Sequence, residues 1–209
     1  ALAVAKTESS LLAEAIMSNH VHECVRTASP KEVAAMQSYT FTRYFNSKYS
    51  RRGSLFLRPL FAIELEGLYH KLAAVSYTLR NPVHHGITST PFEYRHSSAR
   101  ALFRKALGRE GDLEQLPEYL YHRFLPDHRT CPAGYKMGKN GLILREAVLD
   151  VPDVEHMFVT PRSFLYYMNR LSGEEWQREQ EKDLLAGASI TLDVIENGIG
   201  YQSMSQMLA

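Results

Sequence analysis

Cysteine is scarce, with Cys24 and Cys131 the only two in 209 residues. Two such thiols make no disulfide framework, so free cysteines and a reducing, cytoplasmic setting are expected. Long apolar runs are missing too. None approaches the roughly 20 residues of a membrane span, so no membrane partner is expected. The N-terminus carries no signal-peptide pattern, and it opens at Ala1 without a methionine, so a natural start upstream is expected. There is no internal repeat and no low-complexity segment. What is present is ordinary globular composition, 44% hydrophobic and 22% charged, enough for one solid core and a small second one.

Acidic residues are sparse in one region. Between Glu32 and Glu93 the only ones are Glu64 and Glu66. Residues 1–108 hold 14 Lys+Arg against 7 Asp+Glu, and residues 109–209 hold 10 against 16. The halves therefore carry +7 and −6 within a net charge of +1. A basic first half suits a polyanionic partner, whereas two differently charged but otherwise plain subdomains would look the same.

Along the chain, residues 1–6 read as the tail of a helix and residues 11–17 as a strand. Ser18-Asn19 is turn chemistry, and Val21 to Val25 reads as a second short strand. Strand alternation sends His20, His22 and Cys24 one way and Val21, Glu23 and Val25 the other. Two imidazoles on one face can hold a divalent cation; they can equally be polar groups on a half-solvated sheet. Ser29-Pro30-Lys31-Glu32 starts a helix to about Tyr49, with Val33, Met36, Thr40 and Tyr44 as its inner stripe. Arg43, Lys48, Arg51 and Arg52 gather at its far end among Tyr39, Phe41, Phe45 and Tyr49. Residues 55–65 read as a strand interrupted at Pro59.

Residues 68–80 carry a buried helical stripe of Leu68, Leu72, Val75 and Leu79. Tyr77 falls on the opposite side of that helix, with Asn81 on its own face. It either packs a second interface or does chemistry. Pro82 predicts that the helix ends or kinks there. Short helices are expected at 97–107 and 117–125, a loop over 127–141, and a helix from Thr160-Pro161 through Leu171. A capping box at Ser172-Gly173-Glu174-Glu175 leads into a solvated helix, and residues 198–209 are a weakly specified tail.

Five stretches fall in a familiar order. They are Met17-x-Asn19-His20-Val21-His22, a helix with an aromatic and basic end, Arg51-Arg52-Gly53-x-Leu55-Phe56, Tyr77-x-x-x-Asn81-Pro82-Val83, and Tyr94-x-x-Ser97-Ser98. Over residues 11–103 the chain resembles the single-tyrosine HUH transposases, in particular the REP-associated branch. The resemblance implies an α+β, ferredoxin-like sandwich over residues 1–108, an antiparallel sheet with helices on one face. A mostly helical extension over 109–209 would follow. It implies His20, His22 and Asn81 as ligands of magnesium or manganese, Tyr77 as nucleophile, and Arg43, Lys48, Arg51 and Arg52 against single-stranded or hairpin DNA. It also implies a strand and most of a helix ahead of Ala1. Ser18 and Glu23 depart from the family, which has Pro and an apolar residue there. The expected activity is transposition through a 5′-phosphotyrosine intermediate by a monomer or homodimer. The alternatives are a domesticated relative that binds hairpin DNA without cutting and an unrelated metal phosphoesterase. Histidine-triad hydrolases are no close match, because Cys24 stands where their third alternating histidine would be.

Overall fold

The short strand-turn-strand pattern becomes an antiparallel hairpin of β1 (Ser10–Ile16) and β2 (Val21–Arg26). The turn is tight, with the Met17 amide donating to the His20 carbonyl at 2.8 Å. Register runs Ile16↔Val21, Ala15↔His22 and Glu14↔Glu23, and it shifts between Leu11 and Ala13. Leu11, Leu12, Ala13 and Ala15 are all buried, although alternation alone would bury every second residue. The reason is that two apolar clusters pack on β1: Leu12 and Ala13 join Val75 and Leu79, and Leu11 joins Val4, Ala101 and Leu149. The strand also has neighbours at both edges. Beyond β2, Ser97 bridges Ala15 and Leu149 bridges Leu11. The amide of Ser98 donates to the Glu14 carbonyl, and its hydroxyl accepts from the Glu14 amide, both at 2.9 Å. Tyr94 donates its hydroxyl proton to the Ile16 carbonyl at 2.7 Å. The Tyr94-x-x-Ser97-Ser98 motif is thus a clasp on the edge of β1.

The computed structural model describes residues 1–56, 62–109, 115–125 and 131–169. Helix α1 (Leu2–Lys6) precedes the hairpin; α2 (Pro30–Lys48) and α3 (Gly67–His84) follow it. Helix α3 packs on the Cys24 side, where Val75 and Leu79 are wholly buried against Leu12, Ala13 and Cys24. Helix α2 reaches the other side, where Gln37 donates to the Glu23 carboxylate at 2.6 Å. Two further helices, α4 (Val151–Phe158) and α5 (Pro161–Asn169), complete the same core through Val154, Met157, Phe158, Phe164 and Met168. Phe164 alone touches the rings of Phe92, Phe103 and Phe158, and burying such a ring contributes about 1.5–3 kcal/mol. Hydrophobic packing is therefore continuous across the 108/109 boundary among the described residues. Arg26 adds an ion pair to Asp150 and Asp153 at the start of α4, but it is more than half exposed and contributes little.

The α+β class stands, and several finer expectations are corrected. Among the described residues the sheet has two strands, and the ferredoxin-like sandwich is not reproduced. Its helices lie on both faces rather than one, because Glu23 and Cys24 point oppositely and each meets a helix. Residues 55–56 and 62–66 form no strand. Glu66 is extended (φ −99°, ψ 138°), but no neighbour accepts a ladder of its amides among the described residues. Helix α3 does not stop at Pro82 but runs to His84. A proline in the last turn removes a single hydrogen bond, and the His85 amide still donates to the Asn81 carbonyl at 3.0 Å.

Each predicted stripe is buried only in part. Val33 is buried but Tyr44 is 54% exposed, and Leu79 is buried but Leu68 is 62% exposed. Segments 97–107 and 117–125 hold 3-10 turns at Ala99–Ala101 and Glu118–Arg123 instead of α-helices. In the first, backbone groups are taken by β1 and by Glu155, which accepts from the Phe103 amide. Helix α4 is unanticipated, although Asp150-Val151-Pro152-Asp153 carries a start signature, and Asp150 caps Asp153. The expectations for residues 172–209, the end of the helix at Leu171, and the centre of the 55–65 strand lie outside the described residues. No helix among those described is long and apolar enough to cross a membrane.

Candidate metal and tyrosine site

The hairpin turn sets the site. Ser18-Asn19 reverses the chain so that His20 leads into β2, and His22 follows on the same side. Their Nε2 atoms lie 3.0 Å apart, with the rings edge to face and centroids 4.8 Å apart. Helix α3 closes over them. The Tyr77 ring meets that of His22 at 5.5 Å and 89°. His85 meets His20 at 5.8 Å, and His84 lies 6.5 Å from Tyr77. Tyr77, Asn81, His84 and His85 share a helix face by their spacing of four, seven and eight residues. That face exists because α3 continues past Pro82. Cys24 stays out of the cluster: it is buried against the Thr78 hydroxyl at 3.4 Å, and burial pushes its thiol up to about 11. It is inert at neutral pH.

Burial, reinforced by His85, lowers the pKa of His20 to about 4. Burial, then His20 and His85, lowers that of His22 to about 3. Both imidazoles are therefore neutral at pH 7, the state that ligates a cation. One turn beyond Tyr77, Asn81 is fully buried, and neither its Oδ1 nor its Nδ2 has a hydrogen-bond partner. Leaving such an amide unsatisfied costs about 1–3 kcal/mol per group, so it suits a water or an ion as partner. Among the described residues no three His, Cys, Asp or Glu side chains group around a cation position. The donors that could hold a divalent ion are the two imidazole nitrogens, 3.0 Å apart, with the amide oxygen of Asn81 expected from the sequence as a third. These neutral donors leave the ion its full charge, and the nitrogens favour manganese over magnesium.

Asn81 supports a direct prediction. Its side chain caps nothing, so Asn81→Ala should leave the melting temperature of the metal-free protein unchanged or higher. The same change should weaken manganese binding without abolishing it, because an amide oxygen is a neutral, moderately weak ligand. Asn81→Asp should bind metal more tightly. Superimposable metal titrations for the wild type and both variants would remove Asn81 from the ligand set.

The predicted DNA-contact residues form a separate patch. Arg43, Lys48, Arg51 and Arg52 are all exposed, and the first three lie over aromatic rings of α2 and its C-cap rather than over the histidines. Arg43 lies over Tyr39 at 5.6 Å, Lys48 over Tyr44 and Tyr49 at 5.7 and 5.4 Å, and Arg51 over Phe45 at 5.9 Å. Tyr39, Phe41, Tyr44 and Tyr49 are themselves about half exposed or more, so this face of α2 is an open sheet of rings and cations. The sequence reading missed His84 and His85. Their spacing from Tyr77 would have placed them on its face had the helix been carried through Pro82. Compared with protein-family models, curated proteins and solved structures, the chain matches none.

Proposed function

We propose that this protein is a metal-dependent DNA transposase of the single-tyrosine HUH kind, nicking and rejoining single-stranded, hairpin-flanked DNA. The observation that carries this reading is the Tyr77 ring packed edge to face on His22, with the unsatisfied, buried amide of Asn81 one turn beyond. A tyrosine beside a neutral donor set of this kind suits phosphoryl transfer. His20, His22 and Asn81 would hold the cation, which when bound neutralises charge on the scissile phosphate.

Tyr77 supplies the nucleophile. Free phenol has a pKa near 10, so its attack needs that neutralisation. The Tyr77 oxygen bonds to phosphorus and its proton is released; the bond to the 3′ oxygen breaks, and that oxygen leaves as a hydroxyl. The product is a 5′-phosphotyrosine that keeps the energy of the phosphodiester for transfer to another 3′-hydroxyl. Arg43, Lys48, Arg51 and Arg52 neutralise the DNA backbone, and exposed rings such as Tyr49 stack on unpaired bases.

Incubation with labelled single-stranded hairpin oligonucleotides and manganese, followed by a denaturing gel, tests the reading. A protein-linked band supports strand transfer; bound DNA with no such band at any metal concentration would leave only a binding protein. The patch on α2 has its own test. Affinity for single-stranded DNA should fall linearly with salt on a log–log plot. Arg51→Ala with Arg52→Ala should reduce that slope by up to about 1.4, at ~0.7 per phosphate contact. An unchanged slope would move the DNA path off α2.

A further inference from the structure

We infer that Asn19 is a positioning residue, which holds His20 in the tautomer that leaves its Nε2 unprotonated and aimed at His22. The observation is a contact of 2.7 Å between the Asn19 Oδ1 and His20 Nδ1. An amide oxygen only accepts hydrogen bonds, so the proton of the neutral His20 ring sits on Nδ1. The opposite nitrogen is then a pure acceptor. It lies 3.0 Å from His22 Nε2, so in the metal-free protein the hydrogen between the two rings belongs to His22.

The two histidines are therefore not equivalent. To hold a cation on both Nε2 atoms, only His22 would have to change tautomer, its ring proton moving to Nδ1. His20 is ready beforehand. Asn19 can do this because it occupies the hairpin turn directly before His20. Its side chain bonds the neighbouring ring while the backbone is fixed by the Met17 amide and His20 carbonyl. Outer partners of this kind orient ligating histidines and raise their basicity, and losing one lowers metal affinity about 10–100-fold. The consequence for metal binding rests on the function proposed above; the tautomer does not.

The experiment separates the two. Nitrogen-15 spectra of the imidazoles, recorded on the metal-free full chain, report which ring nitrogen of His20 carries hydrogen. The wild type should show Nδ1 protonated and Nε2 unprotonated. Asn19→Ala should show a mixture of tautomers, and Asn19→Asp, which keeps an acceptor at the same place, should restore Nδ1–H. Manganese affinity, read by calorimetry without DNA, should fall about 10–100-fold in Asn19→Ala and recover in Asn19→Asp. A wild-type His20 protonated on Nε2, or an Asn19→Ala protein with unaltered tautomer and affinity, overturns the assignment. If the wild type shows Nδ1–H and takes up no manganese, the tautomer assignment holds and the metal-dependent function falls.

Discussion

Tyr77→Phe is expected to abolish the covalent protein–DNA adduct while leaving DNA binding intact. The substitution removes one oxygen and keeps the ring that packs on His22. The loss of a single hydroxyl hydrogen bond costs the fold about 0.5–1.5 kcal/mol, too little to unfold a domain of this size. Catalysis has no such reserve. No other tyrosine is found in ring contact with the histidine pair among the described residues, and removing the nucleophile of a concerted site lowers the rate by a factor on the order of 10⁴ or more. Labelled single-stranded DNA, manganese and a denaturing gel read the adduct; a filter-binding or anisotropy assay reads affinity. An adduct of wild-type strength in the phenylalanine variant would remove Tyr77 from the mechanism. Loss of both adduct and affinity would make it a structural residue.

Replacing either histidine should be as severe for cleavage but different in its dependence on pH. His20→Ala or His22→Ala deletes one of the two proposed imidazole donors, so metal affinity should fall by more than the ~10–100-fold that loss of an outer partner costs. Cleavage should stop at ordinary metal concentrations. The folded, metal-free protein should survive, and acid should reveal the difference. Burial holds His20 near pKa 4 and His22 near 3, against about 6.5 in the unfolded chain. Between those values the unfolded chain binds more protons than the native one, so wild-type stability falls as pH drops from about 6.5 toward 4 and below. It is fully regained above 6.5. His22→Ala removes the deeper of the two penalties, so its melting temperature should decline less over that window. Thermal melts from pH 7.5 to 4 in the presence of a chelator measure this. Parallel curves would mean that His22 is not held neutral by the fold, and unfolding of either variant at pH 7.5 would mean that the pair is structural.

Much of the site was legible in the chain because its parts are local. A two-residue turn followed by alternating residues places His20 and His22 together in any hairpin, and α-helical spacing places Tyr77 and Asn81 on one face of any helix. The start of α2 at Ser29-Pro30 was equally legible, since proline fixes the first turn by its own geometry, although Ser29 makes no side-chain cap bond. What lay beyond the sequence was every question of who meets whom. Tyr44 and Leu68 continue their stripes by periodicity, yet they are exposed, because among the described residues no neighbouring element covers those ends of α2 and α3. Residues 62–66 have no ladder partner among the described residues, and strand propensity without one leaves an extended chain. Whether Pro82 ends α3 depends on the balance between one lost hydrogen bond and the packing of the following turn, and packing is a tertiary quantity. That balance brings His84 and His85 to the site. The sequence by itself determined that His20 and His22 share one side of a strand and that Tyr77 and Asn81 share one face of a helix. Only the tertiary structure decided that α3 sets the Tyr77 ring on His22 and that the Asn81 side chain is buried without a hydrogen-bond partner. Only there, too, do α4 and α5 share the core beneath them, because burial and contact between distant segments are set by the whole fold and not by local spacing.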